Sequence, residues 1–207
     1  MSVVHLIDTV TEWAQQNICA QIQLKVPPEN EDAAVDAGYA YHLSSPVAFP
    51  MYVPSSEKLP PGVHNPFPSL CVRFLTGQDI PANGEGAIDL QLCFSTWDPG
   101  LHGEDILLPN GQGGSKRWTG QEAAEYFRRT GDGWRDAWNF VDIALRALEN
   151  ETHIGGYSID RATPIKFGPL TEQDEIADLY PLWFAWVTFR VTYPLTMRNI
   201  ADIQKFL

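Results

Sequence analysis

The sequence predicts an α+β domain: a mostly antiparallel sheet of about four strands with two main helices packed on one face. Two stretches, residues 3–18 and 133–150, repeat apolar residues at helical spacing. Residues 69–76, 87–97 and 182–193 have the length and the apolar alternation of strands. Hairpins separated by helices are typical of the α+β class. We assign residues 1–207 to one domain, with long connections at 27–68 and 98–131.

The first helix is predicted over residues 3–18, with Ser2 as its N-cap. Its apolar stripe comprises Val3, Leu6, Ile7, Val10, Trp13, Ala14 and Ile18. An extended stretch follows and ends at Pro27 and Pro28. Nine prolines between residues 27 and 68 keep that segment out of helices and out of the sheet interior. Its many aromatic residues predict an ordered arm or long loop lying on the domain or on a neighbouring subunit.

A hairpin is predicted next. Strand 69–76 and strand 87–97 are separated by Asn83-Gly84, a strong turn signal. In the second strand Ile88, Leu90, Leu92 and Phe94 share one face, and polar residues alternate with them. The alternation indicates a sheet with one buried face and one wet face.

The second half begins with a short predicted helix over residues 121–129, after which Asp132 is placed to cap the long helix 133–150. The long helix has one apolar stripe with a second flank, formed by Trp134, Ala137, Trp138, Phe140, Val141, Ile143, Ala144, Leu145, Ala147 and Leu148. Two further strands, one within residues 153–167 and one at 182–193, complete the sheet. Residues 195–207 are weakly amphipathic and could add a last helix.

The composition excludes several classes of function. The net charge of −12 argues against sequence-independent binding to a phosphate backbone. No apolar run approaches the roughly 20 residues that span a bilayer, and the acidic start of the chain is unlike a signal peptide. The odd cysteine count fits a reducing compartment, although Cys71 and Cys93 could meet as strand neighbours. We therefore expect a soluble protein made in the cytoplasm.

Motifs of catalysis are weak. One loop places His102, Glu104 and Asp105 together, which leaves open a small metal-dependent hydrolase. The sequence has no nucleophile elbow and no phosphate-binding loop. Neighbouring residues on a helix do not face each other, so Arg135 and Asp136 are not a catalytic couple. We predict no catalytic, metal-binding or cofactor-binding residues.

A local basic cluster interrupts this acidic chain. It comprises Lys116, Arg117, Arg128, Arg129 and Arg135, with Trp118 and Tyr126 among them. We predict a contact surface for oligomerisation or docking at Arg117, Trp118, Arg128, Arg129, Arg135 and Asp136. The alternative is a solvated loop and helix that offset the negative charge.

Three elements of the second half resemble a known family. The first is the helix carrying Gly133, Trp134, Arg135, Asp136, Asn139, Val141 and Asp142. The second is Pro164, Ile165, Lys166 and Phe167, and the third is the aromatic strand with Tyr180, Pro181, Trp183, Phe184, Trp186, Thr188 and Arg190. Over residues 69–195 this order resembles the tail terminator or tail completion proteins of long-tailed bacteriophages and prophages.

The resemblance implies structural work in the virion, at the junction of tail and head, after assembly in the host cytoplasm. Such proteins form a ring, usually a hexamer, that caps the tail tube, stops its polymerisation and joins the tail to the head connector. The implied partners are other copies of the chain, the major tail tube protein and the connector or stopper protein, without sequence-specific nucleic acid or membrane. Three alternatives remain open: another head–tail joining or neck protein, the small metal-dependent hydrolase that uses His102, Glu104 and Asp105, and an acidic binding module or inhibitor.

Overall fold

Three long strands run side by side through the centre of the molecule. The computed structural model describes residues 2–28, 42–98, 107–109, 115–117, 133–173, 175–177 and 179–195, with the backbone alone at 107–109 and 115–117. The helices are α1 (Val3–Asn17) and α2 (Trp134–Asn150). The strands are β1 (Leu24–Val26), β2 (His42–Ser44), β3 (Val47–Pro50), β4 (Ser69–Ile80), β5 (Glu85–Trp97), β6 (Leu107–Pro109), β7 (Ser115–Arg117), β8 (His153–Ile154), β9 (Tyr157–Ile159), β10 (Lys166–Pro169), β11 (Thr171–Glu172), β12 (Glu175–Ile176) and β13 (Leu182–Pro194).

The main sheet has the order β3-β4-β5-β13-β9-β8, and β10 also pairs with β13. All of its pairings are antiparallel except that of β3 with β4. Small two-stranded sheets join β1 to β2, β6 to β7 and β11 to β12. The predicted α+β class with a mostly antiparallel sheet is confirmed. The described sheet has seven strands rather than about four, because residues 153–167 supply β8, β9 and the start of β10, and the Pro-rich arm supplies β3.

One face of the sheet is buried under both helices. Leu90, Leu92 and Phe94 of β5 lie in the core, and Phe94 meets Phe140 of α2 edge to face, with ring centroids 4.8 Å apart. Ala185, Val187, Phe189 and Val191 of β13 belong to the same core. Their spacing of two residues explains why the apolar alternation in the sequence identified these strands correctly.

Helix α1 begins as predicted, because the hydroxyl of Ser2 accepts a hydrogen bond from the Val4 amide (3.2 Å). Helix α2 begins differently from the prediction. Its N-cap is Gly133, which makes no side-chain capping bond, and Asp132 lies outside the described residues. At the other end, Arg161 donates to the main-chain oxygens of Leu148 (2.6 Å) and Glu149 (3.2 Å) and thereby satisfies carbonyls that the helix leaves free.

Two predicted members of the helix stripes are exposed. Trp134 is 42% exposed, and the guanidinium of Arg135 lies 4.8 Å from its ring centroid. Val3 is exposed as well. Both residues occupy the first position of their helix, at the end of the apolar face. Of the two tryptophans in α2, only Trp138 packs against the core, where it is partly buried. Its ring meets that of Phe167 edge to face.

The described part of the Pro-rich arm lies on its own subunit. Gln15 of α1 holds β3 in place: its side-chain oxygen accepts from the Ala48 amide (2.8 Å) and its amide donates to the Pro46 oxygen (3.2 Å). The arm then returns across the second face of the sheet, where Phe67 meets Phe184 edge to face. Under it the hydroxyls of Ser69 and Ser95 bond each other at 2.6 Å. The prolines confine β3 to the sheet edge, as their missing amides require.

Candidate functional site

Only two of the six predicted contact residues have described side chains. Arg135 and Asp136 lie in the first turn of α2. Arg117 ends β7, where the structure describes backbone alone, and Trp118, Arg128 and Arg129 lie outside the described residues. His102, Glu104, Asp105, the predicted helix 121–129 and the tail beyond residue 195 also lie outside them. Those assignments therefore stay predictions.

Asp136 is one member of a charged cluster that the sequence did not reveal. Its carboxyl group interacts with that of Asp98, which follows directly after β5. Lys25 of β1 forms an ion pair with Asp98. The side chains of Lys25 and Asp98 are only 18% and 5% exposed, so this pair is largely shielded from water. We name these three residues the carboxyl cluster.

The cluster holds one carboxyl group in an unusual state. Burial is the main cause that raises the pKa of Asp136 to about 6. The charge of Asp98 and a hydrogen bond with its carboxyl group raise this pKa further, and the positive charge of Lys25 opposes the rise. Two carboxyl groups in contact cannot both ionise at low cost. One proton is therefore retained on Asp136 well above the pH at which an isolated aspartate loses it.

Tight backbone packing positions the cluster. Trp183 of β13 donates its indole N–H to the main-chain oxygen of Asp98 (2.9 Å), and the Asp98 amide donates to the Pro181 oxygen (3.0 Å). A Cβ atom at Gly133 would approach the Asp98 oxygen to 2.5 Å and Trp183 Nε1 to 2.7 Å. Glycine is thus required here by close approach. The start of α2, the end of β5 and the aromatic strand β13 meet at this point.

Several large apolar side chains are exposed on β10 and on the connection from β10 to β13. We name this surface the apolar hairpin, after the β11–β12 pair that it contains. Its exposed large side chains are Phe167, Leu170, Ile176, Leu179 and Tyr180. Ile176 is 72% exposed at the end of β12. The surface is held to the sheet, because the Leu170 amide donates to the Phe184 oxygen (3.3 Å) and Leu179 bridges Leu182.

The second sheet face carries the aromatic Phe184 and Trp186 towards the start of β13 and a bidentate ion pair towards its end. Arg190 of β13 donates two hydrogen bonds to the carboxylate of Asp89 on β5, from Nε to Oδ1 (2.7 Å) and from Nη2 to Oδ2 (2.9 Å). The two residues are directly opposite in the strand register. This pair joins neighbouring strands and leaves neither charge free for a substrate.

The cysteines are free thiols. Cys71 and Cys93 are register partners on β4 and β5, as the sequence allowed. Burial raises the pKa of Cys93 to about 11 and that of Cys19 to about 12, and burial also raises the pKa of Cys71. All three remain protonated at neutral pH, which makes them poor nucleophiles.

The described residues show no assembled metal site. Within them, no three His, Cys, Asp or Glu side chains are grouped to hold a metal ion. One cavity of about 200 Å³ has His42 and His64 in its wall, and another of about 510 Å³ lies between α1 and α2. The carboxyl cluster lines neither cavity. Among the described helices, none is long and apolar enough to cross a membrane.

No protein-family model matches the chain, and no curated protein matches it significantly.

Proposed function

We propose that the chain is a structural protein of a bacteriophage tail, a terminator that forms a ring on the tail tube. In this function it stops tube polymerisation and offers a surface to the head connector. It carries out no enzymatic reaction. Its partners are further copies of itself, usually six to a ring, the major tail tube protein and the connector or stopper protein. Another neck protein of the same phage module is the alternative within this class.

The observation that carries the proposal is that the three family-like elements form one unit in space. The PIKF element enters β10 and pairs with the aromatic strand β13, with Lys166 opposite Thr188 and Phe167 opposite Val187. The family-like helix α2 packs on β13, and Gly133 at its start lies against Trp183. Residues that resemble one family in sequence therefore serve one local structure, which supports a shared origin over a chance match.

The apolar hairpin supports assembly as the function of that unit. Soluble monomers rarely expose several large apolar side chains together, and such patches mark interaction surfaces. Here they extend directly from two of the three family-like elements, since Phe167 belongs to the second and Tyr180 to the third. A subunit contact that covers Ile176 and Leu179 would remove their apolar surface from water. Each Å² of apolar surface buried in this way favours association by about 25 cal/mol.

Native mass spectrometry and negative-stain electron microscopy test the proposal. We expect the wild-type chain to form closed rings and to bind the ends of tail tubes assembled from the tube protein of the same phage. Ile176→Glu should weaken ring formation at least tenfold, because it places a charge in the contact. Val4→Glu, an exposed apolar position at the start of α1, is the matched control and should assemble normally. A folded wild-type chain that stays monomeric at high concentration and ignores tube ends would refute the proposal.

A further inference from the structure

Two thiols face each other across strands β4 and β5. Cys71 and Cys93 are partners in the antiparallel register of these strands. Directly opposite residues of an antiparallel pair project from the same face, with their Cα atoms about 4.5–5.5 Å apart. A disulfide bond spans Cα atoms that are about 4.4–6.8 Å apart. The sheet therefore holds the backbones of these two cysteines at the separation that a disulfide requires.

The neighbouring pair of the same register shows how closely opposite side chains approach on this face. Ser69 and Ser95 face each other two residues along each strand, so they occupy the same kind of position as the cysteines. Their hydroxyl oxygens lie 2.6 Å apart. Because bonds from carbon to sulfur are longer than those from carbon to oxygen, two thiols in this arrangement reach bonding contact by rotation about their Cα–Cβ bonds.

The thiol pair lies in an aromatic row of the second sheet face. Phe49 of β3 is the register neighbour of Cys71, and Trp186 of β13 is that of Cys93. Cys71 is buried, whereas Cys93 is half-buried and offers the more accessible sulfur. The Cys93 thiol donates a hydrogen bond to Oε1 of Gln91 (3.2 Å). A reagent from solution therefore meets Cys93 first.

Arg73 favours the reactive form of this pair. It follows Cys71 by two residues on β4 and is exposed. Burial is the main cause that raises the pKa of both thiols, and the positive charge of Arg73 opposes the rise at Cys71 and at Cys93. The thiolate is the nucleophile in disulfide exchange, and a nearby arginine increases its share. Oxidation of the pair is thus slow at neutral pH but is not blocked.

We propose that Cys71 and Cys93 are a redox modification site that closes reversibly to a cross-strand disulfide. The oxidant is a small-molecule disulfide such as oxidised glutathione. The Cys93 thiolate attacks one glutathione sulfur, forms a mixed disulfide and releases the first glutathione thiolate. The Cys71 thiolate then attacks the Cys93 sulfur and releases the second. Two protein thiols are oxidised, one glutathione disulfide is reduced to two thiols, and the two protons pass from the protein to glutathione.

The geometry predicts a disulfide that is easily reduced. The Cβ atoms of opposite residues lie about 4.5–5.5 Å apart in a sheet, and those of a disulfide about 3.5–4.5 Å, so the strands must draw together slightly. Such strain makes a disulfide more reducible. The site would respond to the thiol balance of its surroundings rather than form a permanent cross-link. This property does not depend on the proposed tail function, so either can fail without the other.

Thiol counting by intact mass spectrometry tests the proposal. The folded full chain is incubated with oxidised glutathione, and the remaining thiols are then alkylated in denaturant. The wild-type chain should lose two of its three thiols, carry no glutathione and regain both thiols in dithiothreitol. Peptide mapping should join Cys71 to Cys93. Cys19→Ser should lose two thiols as well, whereas Cys71→Ser should keep one glutathione on Cys93, because no second thiol resolves the mixed disulfide.

A matched pair of arginine variants tests the thiolate step. Arg73→Gln should slow disulfide formation by at least about threefold, whereas Arg146→Gln, at an exposed position on α2, should leave the rate unchanged. Circular dichroism checks that each variant is folded. A folded wild-type chain that keeps three free thiols, a stable mixed disulfide or a bond to Cys19 would overturn the proposal. Equal rates in the two arginine variants would refute the role of Arg73.

Discussion

The carboxyl groups of Asp98 and Asp136 interact, although Asp98 follows a strand and Asp136 lies in the first turn of a helix. This interaction favours the protonated form of Asp136 in the folded chain. The pKa of Asp136 is raised to about 6 in the folded protein from its ordinary value of 3.8, so the folded chain binds more protons than the unfolded chain between roughly pH 4 and 6. Stability from this group is thus present at low pH and declines as the pH rises through that window.

The first prediction concerns Asp136→Asn. The amide stays neutral, so the variant should avoid the cost of ionising the buried carboxyl group. We expect it to raise the free energy of unfolding by about 1–3 kcal/mol at pH 8 and to have little effect near pH 4. Urea unfolding at both pH values measures the difference. Asp142→Asn, on the exposed side of α2, should show no such pH dependence, and equal gains at both pH values would contradict the assignment.

The second prediction concerns Lys25→Met. It leaves the nearly buried carboxylate of Asp98 without its cation, and we expect a loss of about 2–4 kcal/mol in the free energy of unfolding. Lys25 lowers the pKa of Asp136, so the variant should raise that pKa further. Carbon-detected NMR titration of the aspartate carboxyl groups reads the shift directly. Lys58→Met, at an exposed position, is the control, and matching losses in both variants would speak against a buried pair.

The third prediction concerns Gly133→Ala. Gly133 has helical dihedral angles (φ −56, ψ −27), which alanine adopts readily, so backbone preference alone predicts stabilisation. The contacts with Asp98 and Trp183 predict the reverse, a loss of about 1–3 kcal/mol from overpacking. Thermal unfolding decides the sign. At Gly156 an added Cβ meets nothing within 4 Å, so Gly156→Ala should lose little.

The fourth prediction concerns the ion pair between Asp89 and Arg190. A double-mutant cycle with Asp89→Asn and Arg190→Gln should give a coupling energy of about 0.5–1 kcal/mol, because the pair is bidentate but partly exposed. The coupling should shrink in 1 M salt, where the screening length is about 3 Å. A coupling that does not respond to salt would mean that packing, not charge, joins the two side chains.

Local patterns predicted the large elements of the fold and missed the contacts between distant residues. Helices α1 and α2 and strands β4, β5 and β13 repeat apolar residues with the periods of their own backbones, and this information lies within each segment. Strand β3 is short, ends at Pro50 and pairs with β4 in parallel, so nothing in its own residues distinguishes it from a loop.

The sequence did not reveal the carboxyl cluster, because local patterns carry no information on contacts between distant residues. Lys25, Asp98 and Asp136 come from three elements that are distant in the chain, so no local pattern brings them together. Asp98 gave one usable signal: it ends a strongly apolar strand and is followed by Pro-Gly. Trp134 was misassigned because helical periodicity places it on the apolar face, whereas the helix begins there and the tryptophan stays exposed.

The approach of Gly133 to Asp98 has a consequence for how this chain can vary. The chain leaves the main sheet at Asp98 and begins α2 at Gly133, and Gly133 lies against Asp98. A segment whose two ends meet can change in length at small entropic cost, since loop closure depends only weakly on length. Residues 99–132 could thus be exchanged for a short glycine-serine linker while the sheet and both helices keep their places. Related chains could differ greatly in length at this one point and still share the same fold.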